Sequence, residues 1–164
     1  MKLYYHKHQF VPLDRTLELY FSGCSLRCSG CHNSFLQERT LDNTREVSVD
    51  EILHEVEDYI SISSQVHILG GEPLEQDHRA LSLLLKELRK KGFKNIILFT
   101  GWDFPQSYLE KEWDLFKHCD YIKTGHYDEN QLNTSKTLIP DAPSFPLASK
   151  NQTFLKVNKS EMEK

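Results

Sequence analysis

Cys24, Cys28 and Cys31 form a C-x3-C-x2-C triplet, a spacing that lets one short loop bend three thiolates around three irons of a [4Fe-4S] cube. The fourth iron is then left without a protein ligand. A cluster held by four cysteines is closed and serves electron transfer, whereas an open iron can bind a substrate or cofactor directly. A second group with chemical potential is Gly70-Gly71-Glu72-Pro73. Paired glycines let backbone carbonyls approach a ligand closely, and a carboxylate beside them favours a cation. The plain alternative for these four residues is a tight turn ending in Pro73.

Other uses of the triplet each meet a physical objection. Residues 28–32 read CSGCH, which is literally the C-x-x-C-H signal for covalent haem attachment. That attachment takes place outside the cytoplasm, and the N-terminal MKLYYHKHQF has neither an apolar h-region nor a cleavage signal. Three thiolates plus His32 would complete a zinc tetrahedron, but Cys31 and His32 are adjacent, and closed zinc sites more often use two separated pairs. A disulfide framework does not suit a chain expected to reside where thiols stay reduced. The expected location is the cytoplasm.

These residues need elements to carry them. TLELYFS, from Thr16 to Ser22, alternates apolar Leu17, Leu19 and Phe21 with polar neighbours and predicts a strand that delivers the chain to Gly23 and the cysteine loop. Ser48 heads a capping box with Glu51, and Val49, Ile52, Leu53, Val56, Tyr59 and Ile60 follow at helical spacing. Gln65 to Leu69 is a short apolar strand running into Gly70, so the glycine pair also lies at a strand's C-terminal end. Asp77 caps a second helix carrying Leu81, Leu84, Leu85 and Leu88, with Arg89, Lys90 and Lys91 at its negative end and Gly92 stopping it. Asn95 to Thr100 reads as a strand covered on both faces, Gln106 to Lys117 as a helix and Tyr121 to Lys123 as the core of a further strand.

This alternation predicts an α/β fold with right-handed crossovers that place the strand-to-helix loops on one edge, where sites of this class are built. A closed eight-unit barrel needs about 200 residues or more, so 164 residues predict a partial (βα) barrel or a curved open parallel sheet. One domain is expected over 1–158, followed by a polar tail over 159–164. Its 20 basic and 24 acidic residues give a net charge of −4, which argues against a nucleic-acid partner. No apolar run approaches the roughly 20 residues that cross a bilayer, so no membrane partner is expected.

Taken together, the triplet and the GGE segment after the next strand resemble the radical SAM superfamily. The resemblance implies that S-adenosyl-L-methionine (SAM) binds the open iron through its amino and carboxylate groups, and that Gly70, Gly71 and Glu72 receive the methionyl ammonium. CSLRCSGCHN (Cys24 to Asn33), Thr100-Gly101-Trp102, CDYIKTGHY (Cys119 to Tyr127) and PLASKNQ (Pro146 to Gln152) occur in one order. With the triplet they resemble the small activating enzymes of anaerobic (class III) ribonucleotide reductase. That resemblance implies a 5′-deoxyadenosyl radical that removes a hydrogen atom from a backbone glycine of the large reductase subunit. It also implies a flavodoxin or ferredoxin as electron donor. Activases of other glycyl radical enzymes, such as pyruvate formate-lyase, are usually longer, and a 7-carboxy-7-deazaguanine synthase type of enzyme is the small-molecule alternative.

Around the site, Gly30 and His32 flank the last cysteine, Thr100 and Trp102 follow a strand on the active edge, and Lys123 is a candidate partner for the SAM carboxylate. For Trp102 the alternative is an aromatic that closes the core, and for Lys123 a solvated strand end. Cys119 is expected to be a buried structural thiol. The stretch from Tyr127 to Pro146, with Pro140 and Pro143, is expected to be an irregular loop.

Overall fold

A computed structural model describes residues 1–133 and 147–159. Pro140, Pro143 and Pro146 of the expected irregular loop, and the tail beyond Lys159, lie outside the described residues. Among the described residues seven strands form one open sheet in the order β3-β1-β2-β4-β5-β6-β7. Its centre is parallel: β2 (Thr16–Phe21), β4 (Gln65–Gly70), β5 (Ile96–Phe99) and β6 (Tyr121–Thr124) all run the same way.

Three strands were not expected. β1 (Leu3–Val11) pairs antiparallel with β2, the three-residue β3 (Arg45–Val47) pairs antiparallel with the start of β1, and β7 (Thr153–Lys156) closes the other side antiparallel to β6. The parallel sheet therefore gains antiparallel margins. β1 buries Leu3 and Tyr5, exposes Lys7 and Gln9 and leaves its other residues half-buried, so the apolar alternation of its sequence is confined to its start.

The crossover helices follow from local signals. α1 (Val49–Val56) begins with a complete capping box: Glu51 N–H donates to the Ser48 side chain at 3.2 Å and Ser48 N–H donates to Glu51 Oε2 at 2.6 Å. α2 (His78–Lys91) starts at Asp77, whose side chain accepts from Ala80 N–H, and ends at Gly92 with φ 108°. One stripe of α2, Ala80, Leu81, Leu84, Leu85 and Leu88, packs on the sheet with Ile52, Val56, Val66, Ile68, Ile96 and Leu98. Each buried leucine contributes about 1.5–3 kcal/mol of transfer free energy. The expected helix from Gln106 to Lys117 is instead two short ones, α3 (Gln106–Lys111) and α4 (Trp113–Phe116), separated at Glu112 with φ −103° and ψ 36°. Among the described residues no helix is long and apolar enough to cross a membrane.

With β2, β4, β5 and β6 parallel, the segments that follow them emerge on one edge. Those segments begin at Ser22, Gly71, Thr100 and Gly125, and every residue singled out for chemistry belongs to one of them or to a strand end beside it.

Candidate active site

The cysteine loop leaves β2 and is held at its root by backbone hydrogen bonds: Ser22 N–H to Tyr4 O (3.0 Å), Gly23 N–H to Leu36 O (2.7 Å) and Cys24 N–H to Gln37 O (3.0 Å). A turn closed by Cys31 N–H to Cys28 O (3.2 Å) puts the second and third cysteines on one bend. All three thiols are free and half-buried. Burial, with the carboxylates of Glu72 and Glu75 adding to it, pushes the Cys24 thiol up to about 11. Taking up a metal there requires the thiol to lose its proton.

The glycine segment lies against this root. Gly71 N–H donates to Phe21 O at 2.7 Å, Glu72 N–H to Gly23 O at 2.9 Å, and Asn33 Nδ2 reaches Gly70 O at 3.4 Å. A Cβ on Gly71 would stand 2.5 Å from Gly23 O, and Gly70 has φ 121° with the Phe21 backbone in the way. Both glycines are thus required by the close approach of two backbone segments.

Glu72 is 1% exposed. Its Oε2 accepts from Gly101 N–H at 2.8 Å and its Oε1 from Leu74 N–H at 3.0 Å. Burial raises its carboxyl, and hydrogen bonds from Gly101, Leu74 and the Thr100 side chain oppose that shift. Lys123 is not the solvated strand end that its position suggested: its ammonium lies 5.0 Å from the centroid of the Phe99 ring. Burial lowers Lys123 to about 8, while Glu72 and Cys28 pull the other way.

These groups share a cavity of about 240 Å³. Cys24, Cys28, Cys31, His32, Gly70, Gly71, Glu72, Thr100 and Lys123 all line it. Gly30 and Trp102 do not. Gly30, with φ 74°, faces the Glu129 side chain, and Trp102 is 44% exposed, so it neither closes the core nor walls the cavity. Cys119 is fully buried with its thiol pushed up to about 12, as expected of a structural cysteine.

Sequence reasoning gave no role to Gln152, which is 5% exposed and forms part of the wall. Its Oε1 accepts from Ala148 and Ser149 N–H (3.0 and 3.1 Å), and its Nε2 donates to Gly125 O at 3.1 Å. Tyr127, whose ring packs 4.8 Å from that of His32, was missed as well. Both belong to the segments CDYIKTGHY and PLASKNQ, but neither residue type announces a ligand.

The donor set suits an iron-sulfur cluster: three thiols on one loop face one cavity that also holds a buried carboxylate and a half-buried amine. Among the described residues no three His, Cys, Asp or Glu side chains converge tightly enough to hold a single metal ion.

The chain belongs to the 4Fe-4S single cluster domain family, whose model matches residues 15–140, and so to the radical SAM superfamily. Its cofactors are a [4Fe-4S] cluster and SAM. Over 110 residues it is 39% identical to a pyruvate formate-lyase-activating enzyme of Staphylococcus epidermidis, covering 63% of this chain and 43% of that protein. Over 101 residues it is 35% identical to a 7-carboxy-7-deazaguanine synthase of Methanopyrus kandleri, covering 52% of this chain and 40% of that protein. The chain spans about two fifths of the length of these relatives. The crystal structure of QueE from Escherichia coli aligns with a TM-score of 0.48 at 19% identity, covering 61% of this chain and 51% of that one.

Proposed function

We propose that the chain is a glycyl-radical activase: it cleaves SAM reductively and removes a hydrogen atom from a backbone glycine of the large subunit of anaerobic ribonucleotide reductase. The observation that carries the activase reading is the 39% identity to a pyruvate formate-lyase-activating enzyme. The choice of the reductase as partner rests on the ordered segments CSLRCSGCHN, Thr100-Gly101-Trp102, CDYIKTGHY and PLASKNQ.

In this reading Cys24, Cys28 and Cys31 hold the cluster. Cluster and SAM together supply a one-electron cleavage that yields an organic radical, with the electron drawn from a flavodoxin or ferredoxin. The residues of the chain bind and orient. Both Glu72 oxygens already accept backbone N–H groups, so Glu72 acts as a stationary negative charge in the wall and leaves the glycine-pair carbonyls to meet the methionyl ammonium. Lys123, across the same cavity, meets the carboxylate, while Thr100 and His32 bound the remaining space. Holding the scissile bond in one orientation is what the wall contributes to rate.

A second reading, conversion of a small molecule, is favoured by the 35% identity to a 7-carboxy-7-deazaguanine synthase. One anaerobic experiment separates the two. The reconstituted chain is mixed with SAM, reduced flavodoxin and the reductase large subunit, and EPR is recorded. A glycyl doublet on the large subunit, absent with Cys28→Ala, is the expected result. An intact reducible cluster that leaves the large subunit silent, yet converts the deazaguanine synthase's small-molecule substrate, would establish the second reading.

A further inference from the structure

Glu75 lies three residues beyond Glu72, in the short 3-10 turn Pro73–Glu75, and is half-buried. Its Oε2 accepts the backbone N–H of Ser25 at 2.8 Å, and its Oε1 accepts the Ser25 hydroxyl. Ser25 directly follows Cys24 and stands 50 positions earlier in the chain than Glu75. The Glu75 backbone is itself held, its N–H donating to Glu72 O at 3.0 Å and its carbonyl lying 3.4 Å from Arg39 Nη2.

Among the contacts that join the glycine segment to the root of the cysteine loop are Gly71 to Phe21, Glu72 to Gly23, and Glu75 to Ser25. The first two are backbone to backbone. Of these three only the third uses a side chain and brings a charge; Gln76 Nε2 also donates to Ser22 O at 3.0 Å, without a charge.

Two guanidinium groups lie nearby. Arg27 Nη2 pairs with Glu38 at 2.6 Å and its Nη1 donates to Cys24 O, and the Arg39 guanidinium lies 3.9 Å from the centroid of the Tyr4 ring while its Nε donates to Ser22 O and its Nη2 lies 3.4 Å from Glu75 O.

We propose that Glu75 is a positioning residue for the cluster loop, one that holds the chain beside Cys24 and lowers the cluster's reduction potential. This rests on the reading that Cys24, Cys28 and Cys31 hold the cluster, and it is independent of which substrate is used. Two effects act in the same direction. A negative charge close to a cluster thiolate disfavours adding an electron, and an N–H bonded to a carboxylate is not free to stabilise the reduced cluster by donating to its sulfurs. A low potential is what reductive cleavage of a sulfonium demands.

Glu75→Gln keeps the size and one acceptor oxygen but removes the charge. In an EPR-monitored redox titration of reconstituted protein, this variant is expected to hold about a tenfold higher ratio of reduced to oxidised cluster at a given potential, a positive shift of about 59 mV for one electron, at wild-type iron content. In the metal-free protein, the Ser25 amide is expected to exchange its hydrogen at least about tenfold faster in Glu75→Ala than in wild type, a sign of the lost acceptor. A Gln variant with full iron and an unshifted potential overturns the electrostatic role, and unchanged Ser25 exchange in Glu75→Ala overturns the positioning role. Should Glu75→Ala fail to fold, the exchange comparison is made with Glu75→Asp, whose carboxylate is one methylene too short to keep both bonds to Ser25. If wild-type protein binds no iron and sulfide, the cluster reading falls and this proposal with it; an intact wild-type cluster with an unshifted Gln variant sinks the electrostatic proposal alone.

Discussion

Lys123 is the third of the four residues of β6, with its ammonium in the cavity wall, near the Phe99 ring and facing Glu72 and Cys28. Burial is the dominant influence and lowers the side chain to about 8, below its ordinary value of 10.5. Between about 8 and 10.5 the unfolded chain binds more protons than the folded one, so the contribution of Lys123 to stability rises with pH across this window. Lys123→Met removes that rise, which denaturant titrations at pH 8 and pH 10 would detect. Ligand binding runs in the opposite direction. A carboxylate is attracted by the protonated amine, so SAM affinity of the reconstituted protein is expected to fall as pH rises through about 8. In Lys123→Met, affinity should be about tenfold weaker at pH 7, in line with losing one charge-assisted contact, and flat with pH. Calorimetric titration with SAM at several pH values is the check; equal pH profiles for the two proteins would remove Lys123 from the ligand's surroundings.

At the scale of elements, the site depends on two segments from neighbouring parallel strands that touch through their backbones. β2 pairs with β4 in a register that sets Phe21 opposite Gly70, so the residues beyond each strand meet directly. A methyl group on Gly71 would press on Gly23 O at 2.5 Å and Gly23 C at 2.9 Å, backbone atoms with no rotamer to yield. Gly71→Ala is therefore expected to cost about 1–3 kcal/mol, the usual range for overpacking, and to move the glycine segment off the cysteine loop. Denaturant unfolding measures the first effect. The second should appear as weakened SAM binding by a protein that still carries iron. Retention of both wild-type stability and wild-type affinity would show that the close approach of Gly71 to Gly23 is not needed for folding or binding.

For the whole molecule, the core and the site are separate. The buried hydrophobic cluster, which joins side chains of the sheet strands to those of α1 and α2, contains Cys119 but none of Cys24, Cys28 and Cys31. The sheet is therefore expected to survive loss of metal, unlike small domains whose folding free energy is metal binding. After chelation of iron, the circular dichroism melting temperature should stay within about 5 °C of the loaded protein, equivalent to about 1–2 kcal/mol at this size. A collapse of the cooperative transition on chelation would mean that the cysteine loop helps to hold the sheet together.

The chemistry and the central α/β alternation could be read from sequence because their signals are local. The triplet is a matter of spacing, α2 of periodicity between Asp77 and Gly92, and α1 of the Ser48–Glu51 box, each contained within a few turns of chain. What the sequence left open depends on partners far along the chain. β7, half-exposed over Thr153–Lys156, becomes a strand by pairing with β6, and β1 keeps its shape past Tyr5 through β2 although its own pattern has faded. The break at Glu112 has no glycine or proline to announce it. The burial of Lys123, the place of Gln152 in the wall and the grip of Glu75 on Ser25 likewise require sheet register and loop packing to bring distant residues together. Residue types and short spacings determined which chemistry this protein can support; only the tertiary structure decided which charges surround it, because burial and electrostatic interaction depend on distance in space rather than along the chain.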